Sequence, residues 1–196
     1  VLNVGRVAHE KNLGFLLRMF ARVARRDARA VLVIAGEGPA RSSLQAEAEK
    51  LGIGLRTRFI GNLDRERMLN DCYAAADVFV FASRTETQGL VLLEAMAQSR
   101  PVVSTACLGT RSVLTAGSGA CVVEESEGDF ATAVCAVLKD PARARAMGEK
   151  ARTWAGQWSS SGMAARMAGL YRELHAKRSV PVSRSAAMRA MGEASG

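Results

Sequence analysis

The chain has 196 residues, 48% of them hydrophobic, enough apolar material for one sizeable core and one main domain. Lys and Arg number 27 against 19 Asp and Glu, a formal charge of +8 at pH 7; such a surface attracts nucleotides, nucleic acid or anionic lipid without choosing among them. This composition excludes a disordered chain, and no apolar run approaches the ~20 residues needed to cross a bilayer.

Val1 to Val4 read as a strand, and Gly5 to Asn12 form a loop into a helix from Leu13 to Arg26. Arg6 leaves the end of that strand and Lys11 opens the helix, so two fixed cations are placed to converge on one diphosphate. On the helix, Leu13, Leu16, Leu17, Phe20 and Val23 make a core face. Arg18, Arg22, Arg25 and Arg26 make a basic stripe, read as a solvated face or a contact for anionic lipid. Ala30 to Ala35 is a second strand. Gly36-Glu37-Gly38-Pro39 then turns into a helix from Ala40 to Leu51, with Pro39 near its first turn. Thr57 to Gly61 is a third strand, and Asp64 is placed to cap a helix from Arg65 to Ala75.

Val78-Phe79-Val80-Phe81 is a continuous β-branched and aromatic run, which suits a parallel strand buried on both faces. Ser83 to Gln88 break the pattern, and from Gly89 the residues Leu90, Leu93, Met96 and Ala97 fall at helical spacing until Pro101. The N–H groups of Gln88, Gly89 and Leu90 at this helix start are expected to be open, a ready site for phosphate. Glu94, eight positions after Glu86, can accept two hydrogen bonds from a vicinal diol such as a ribose, while Glu86 is free to face a second polar group beyond the phosphates. Read alone, the pair also fits a solvated helix residue and a loop residue.

Val102-Val103 is a fifth strand, Leu108 to Arg111 open a short helix, and Ala120 to Val123 make a sixth strand. Phe130 to Leu138 and Ala142 to Trp158 read as helices, Ser159 to Gly162 as an interruption, and Met163 to Lys177 as a last helix. Residues 179–196 have too few large apolar side chains to specify a core. Strands alternating with helices imply right-handed βαβ units and a Rossmann-like, three-layer α/β/α domain with a mostly parallel, six-stranded sheet. If the order is 3-2-1-4-5-6, the first and fourth strands adjoin at the switch point, and Arg6, Lys11, Glu86 and Gly89 meet in one crevice. Gly36-x-Gly38 is a poor dinucleotide signal, because it follows the second strand and lacks a third glycine.

Taken in order, GRVAHEK, IAGEGP, FIGNL, AADVFVFAS, ETQGLVLLE and RPVVST make the chain resemble the C-terminal, donor-binding half of a family 4 retaining glycosyltransferase of the GT-B fold, over roughly residues 1 to 157. The resemblance implies the donor half of a hexosyltransferase that uses a nucleotide-diphosphate sugar without a metal. Arg6, Lys11 and Glu86 are then the catalytic residues. Donor contacts are implied from Arg6, Lys11, Gly36, Asn62, Leu63, Glu86, Thr87, Gln88, Gly89, Leu90 and Glu94, with the base beside Asn62 and Leu63 and the ribose on Glu94. The family more often has Gly-Gly followed by Pro-Glu where this chain has LGTRSVL, which puts any sugar or acceptor contact there in doubt.

Three segments are expected: a donor-binding domain over 1–158, a helix over 159–178 that packs back on the domain or toward an N-terminal half, and a weakly specified tail over 179–196. A chain that opens without Met inside an apolar strand is expected to be an excised domain, missing its N-terminal acceptor-binding half and inactive alone. The alternative function is a non-catalytic nucleotide-sugar-binding module. An NAD-dependent oxidoreductase would need G-x-G-x-x-G after the first strand, and nucleic-acid binding would need stacking aromatics that are only 5% of the chain. The four cysteines have no metal or disulfide spacing and read as buried thiols. With no signal-peptide pattern, the expected location is the cytoplasm, with the inner face of the membrane as an additional surface.

Overall fold

The computed structural model describes residues 1–64 and 68–178. The chain forms two compact units, Val1–Trp158 and Ser159–Gly196. Among the described residues of the first unit, six strands alternate with helices: β1 (Leu2–Val4), α1 (Leu13–Arg26), β2 (Leu32–Ala35), α2 (Arg41–Lys50), β3 (Thr57–Gly61), α3 (Met68–Ala75) and β4 (Phe79–Phe81). There follow α4 (Leu90–Ala97), β5 (Val102–Ser104), α5 (Thr110–Val113), β6 (Cys121–Val122), α6 (Glu127–Lys139) and α7 (Pro141–Gly156). The strands pair in the order β3-β2-β1-β4-β5-β6, every ladder parallel, so the Rossmann-like parallel sheet expected from the sequence is observed, in the order that makes the first and fourth strands neighbours.

The apolar run that forms β4 explains the layering. Side chains of successive strand residues point to opposite faces. Val78 and Val80 therefore pack with α1 and α6 in one cluster, alongside Leu16, Phe20 and Phe130. Phe79 and Phe81 pack with α3, α4 and α7 in the other, alongside Tyr73, Leu92 and Met96. The rings of Phe79 and Phe81 lie 6.3 Å apart, and Tyr73 meets Phe79 at 5.7 Å. At the edge, β3 alternates buried Thr57 with exposed Arg58 and Ile60, as expected of a strand with a single neighbour.

Several helix boundaries differ from the sequence reading, and capping accounts for them. α6 begins at Glu127 rather than Phe130, because Ser126 Oγ accepts a bond from the Asp129 N–H and acidic residues fill the first turn. α7 begins at Pro141, with Asp140 accepting from the Arg143 N–H at 2.9 Å. In the second unit, α8 spans Ser160–Arg178, three residues earlier than Met163, because Ser159 Oγ accepts from the Gly162 N–H at 3.2 Å. Its Met163, Met167, Leu170, Tyr171 and Leu174 are all exposed. The start of the helix expected at Arg65 and the whole tail 179–196 lie outside the described residues.

At the carboxyl ends of β1 and β2 the connecting loops touch backbone to backbone. Gly36 has φ 138°, and a Cβ there would collide with the Gly5 carbonyl; one at Gly38 would collide with the Val7 carbonyl. The resemblance counts Gly36 of this glycine turn among the donor contacts. In the structure it admits the loop after β1.

Candidate functional site

β1 and β4 are neighbours, with Leu2 opposite Phe79, so the loops that follow them flank the switch point of the sheet. Two asparagines stitch the strands and loops together. Buried Asn3 donates from Nδ2 to the Val80 carbonyl at 2.9 Å, and Asn12, in a left-handed conformation at φ 57°, donates to the Ala82 carbonyl at 3.2 Å. Between the loops lies a cavity of about 440 Å³, with Gly5, Arg6 and Lys11 on one wall and Phe81, Thr85, Glu86 and Val91 on the other.

Glu86 is the centre of this site. Its Oε1 accepts from the N–H groups of Gln88 at 3.3 Å and Gly89 at 3.1 Å, and its Oε2 accepts from Lys11 Nζ at 3.1 Å. Burial alone would raise the carboxyl's pKa, but bonds from the Gly89 amide, Lys11 and the Gln88 amide outweigh it and hold the group below its ordinary range. The sequence reading expected the Gln88 and Gly89 amides to be open and Glu86 to face elsewhere. Instead the carboxylate occupies these two amides itself, as a local cap at the positive end of α4. Gly89 closes this turn at φ 69°, a conformation that favours glycine.

The two cations are not equivalent. Lys11 is mostly buried and held by Glu86. Arg6 is 65% exposed and reaches Glu10 only at 3.7 Å, so it lines the cavity without being fixed in it, which corrects the expectation of two fixed cations.

Glu94 lies one turn beyond Val91 and does not line this cavity. Its Oε2 accepts from the hydroxyl of wholly buried Tyr73 at 2.8 Å. Sequence reasoning missed Tyr73, since nothing in its spacing links it to Glu94. It also missed Gly109, although the departing LGTR segment was a signal. The Gly109 N–H donates to the Glu86 carbonyl at 3.1 Å, and a Cβ at Gly109 would collide with the Thr87 carbonyl. The neighbouring Leu108 takes a left-handed φ of 47°.

Residues 1–154 match the model of the family described as glycosyl transferases group 1. The chain belongs to this family. Relatives of this group 1 domain include the alpha-D-kanosaminyltransferase of Streptomyces kanamyceticus, 32% identical over 176 residues that make up 89% of this chain and 45% of that protein. D-inositol 3-phosphate glycosyltransferase 2 of Catenulispora acidiphila is 36% identical over 182 residues, 87% of this chain and 42% of that protein. The crystal structure of HepE from Anabaena in complex with UDP has a similar fold, with a TM-score of 0.76 at 18% identity over 88% of this chain and 48% of that one. The chain spans less than half the length of these relatives.

Within this group 1 domain the predicted site residues divide into three sets. Arg6, Lys11 and Glu86 share the cavity, and Thr87, Gln88, Gly89 and Leu90 follow along the same loop into α4. Gly36, Asn62 and Leu63 sit beyond the carboxyl ends of β2 and β3, where the Gly36 N–H donates to the Gly61 carbonyl at 2.7 Å. Glu94 lies further along α4. The basic stripe of α1 is largely engaged within the unit: Arg18 bonds Glu127 and Glu47, Arg22 bonds Glu127, and Arg26 bonds Thr132. Among the described residues no group of three or more His, Cys, Asp or Glu is placed to hold a metal ion, and no helix is long and apolar enough to cross a membrane.

Proposed function

We propose that this domain is the donor half of a retaining hexosyltransferase and binds a nucleotide-diphosphate sugar across the carboxyl ends of β1 and β4. The observation that carries the reading is the arrangement around Glu86: two helix-start amides and a half-buried Lys11 already hold an anion at the switch point. A leaving diphosphate gains negative charge in the transition state, and pre-placed donors stabilise it where it forms. Lys11, Arg6 and the amides from Gln88 to Leu90 fill that role, so the charge needs no metal. Glu86 meets the sugar hydroxyls, Glu94 holds the ribose, and the backbone of Asn62 and Leu63 flanks the base. UDP in the Anabaena HepE complex supports a nucleotide ligand for this fold.

The acceptor, and the closure that excludes water, belong to a partner domain. For contact with anionic lipid the α1 stripe offers little, because three of its four arginines already have partners within the unit. The test is calorimetric titration of UDP, GDP and ADP into the 196-residue chain. Saturable binding of one of them, lost on Lys11→Ala, is the expected result; no binding by any of the three overturns the reading.

A further inference from the structure

The donors around Glu86 are the ones a donor diphosphate needs. They are occupied by a side chain of the protein itself, in the cavity where the ligand is placed. Resting on the nucleotide-sugar reading above, we propose that Glu86 is an internal competitor for the diphosphate and so a specificity-determining residue that favours the sugar-bearing donor over the spent nucleoside diphosphate.

The argument is one of exchange. Amides at a helix start and a lysine ammonium bind whichever anion is offered, with charge-assisted bonds to either. A diphosphate takes these donors only by displacing the carboxylate. The displacement is a side-chain rotation and not a loop rearrangement, because the Glu86 carbonyl is tied to the Gly109 N–H and the loop rests on Gly109. In its resting position these donors hold the carboxylate charged with only 20% of its side-chain surface exposed, so displacement parts that charge from its partners. A partly buried charge without donors is costly. The hydroxyls of a sugar attached to the diphosphate supply new donors at that point. A free nucleoside diphosphate supplies none, so it carries the cost of displacement without the compensation. A ligand shifts such an equilibrium only by its differential interaction with the two states, and the sugar provides that difference. After transfer, the returning carboxylate competes with the product and hastens its departure.

The test uses the 196-residue chain, its Glu86→Gln and Glu86→Ala variants, and titration of UDP, UDP-glucose, GDP and GDP-mannose. In wild type the sugar conjugate of the accepted base should bind more tightly than the free diphosphate. In Glu86→Ala the free diphosphate should bind at least about tenfold more tightly than in wild type, since its charged competitor is gone, and the preference for the conjugate should vanish. The isosteric Glu86→Gln should move in the same direction, and its folding is checked by an unchanged amide spectrum away from the loop. In the absence of nucleotide the Gln88 and Gly89 amide resonances should shift in both variants. Free-diphosphate affinity that is unchanged or weaker in both variants overturns the competition and leaves the nucleotide reading standing. No saturable binding of any of the four to wild type or variant overturns both.

Discussion

The hydroxyl of Tyr73 on α3 donates to Glu94 Oε2 on α4 at 2.8 Å, and the ring behind it is wholly buried against Phe79. The half-buried carboxylate of Glu94 is thus aimed from below by the core. A group held in this way is pre-organised to accept bonds from a diol with little further loss of side-chain freedom.

A 2′-deoxy nucleotide is therefore expected to bind more weakly than its ribose form, by roughly one to two decades if one charge-assisted bond of about 1.5–3 kcal/mol is lost. Glu94→Ala should bind the two forms about equally. Tyr73→Phe should narrow the difference, because Glu94 loses its support. Arg6→Ala should weaken both forms alike, since the partner proposed for it is phosphate. Titrating the two nucleotides into wild type and the three variants checks this. An undiminished ribose preference in Glu94→Ala would place the diol elsewhere.

Nucleotide binding is expected to be insensitive to chelation, because in the proposed site Lys11, Arg6 and the helix-start amides would supply the positive field. The check is the affinity for UDP and GDP with and without EDTA. A collapse in chelator would mean that a cation takes part.

Gly109→Ala should be more harmful than a typical glycine change. Gly109 has an ordinary helical φ of −61°, so the backbone tolerates alanine, but the added methyl meets the Thr87 carbonyl. Overpacking of this kind costs about 1–3 kcal/mol, and here it also displaces the loop that carries Glu86. Gly117→Ala is the comparison, since its Cβ would meet nothing within 4 Å. Both variants should lower the melting temperature, Gly117→Ala through its positive φ alone. Only Gly109→Ala should also change nucleotide affinity.

The ion-pair cluster joining α1, α2 and α6 gives a pH dependence. Burial raises the Glu127 carboxyl, but the bonds from Arg18 and Arg22 outweigh it, so its folded pKa lies below the ordinary carboxylate range. A depressed folded pKa means that the stabilisation is present above the unfolded value, near about 4.3, and is lost as pH falls through the lower folded value. Glu127→Gln should thus reduce stability at neutral pH by less than about 1 kcal/mol, given the partial exposure of these arginines, and by less still in acid. Urea unfolding of both proteins at pH 7 and pH 3 measures the difference. A constant gap between them would mean that the cluster contributes packing and not charge.

Much of the architecture was legible because the strands announce themselves. The run Val78 to Phe81 is continuous in sequence and buried throughout in space, and the parallel pairing followed from alternation, with the order β3-β2-β1-β4-β5-β6 seen in the structure. That order alone brought Arg6, Lys11 and Glu86 into one cavity. The rotation of Glu86 onto the amides two and three residues ahead of it was not legible, because a side-chain torsion leaves no periodic trace. Tyr73 was hidden for a different reason: it precedes Glu94 by 21 positions on another helix, and its role exists only through packing. The polar first turn of α6 was mistaken for loop because capping residues resemble loop residues when read in one dimension.

The loops around the crevice meet backbone against backbone at Gly36 on Gly5, Gly38 on Val7 and Gly109 on Thr87. Surface loops ordinarily accept insertions and random sequence, and are the usual target when a scaffold is re-engineered for a new ligand. Here the three glycines act like meshed teeth, and lengthening one loop unseats its neighbour. A library that varies the length of the segments 5–12, 36–39 or 105–110 one at a time should return mostly unfolded clones. Productive variants will come from changing side chains on the existing loops, or from exchanging interlocked loops as sets.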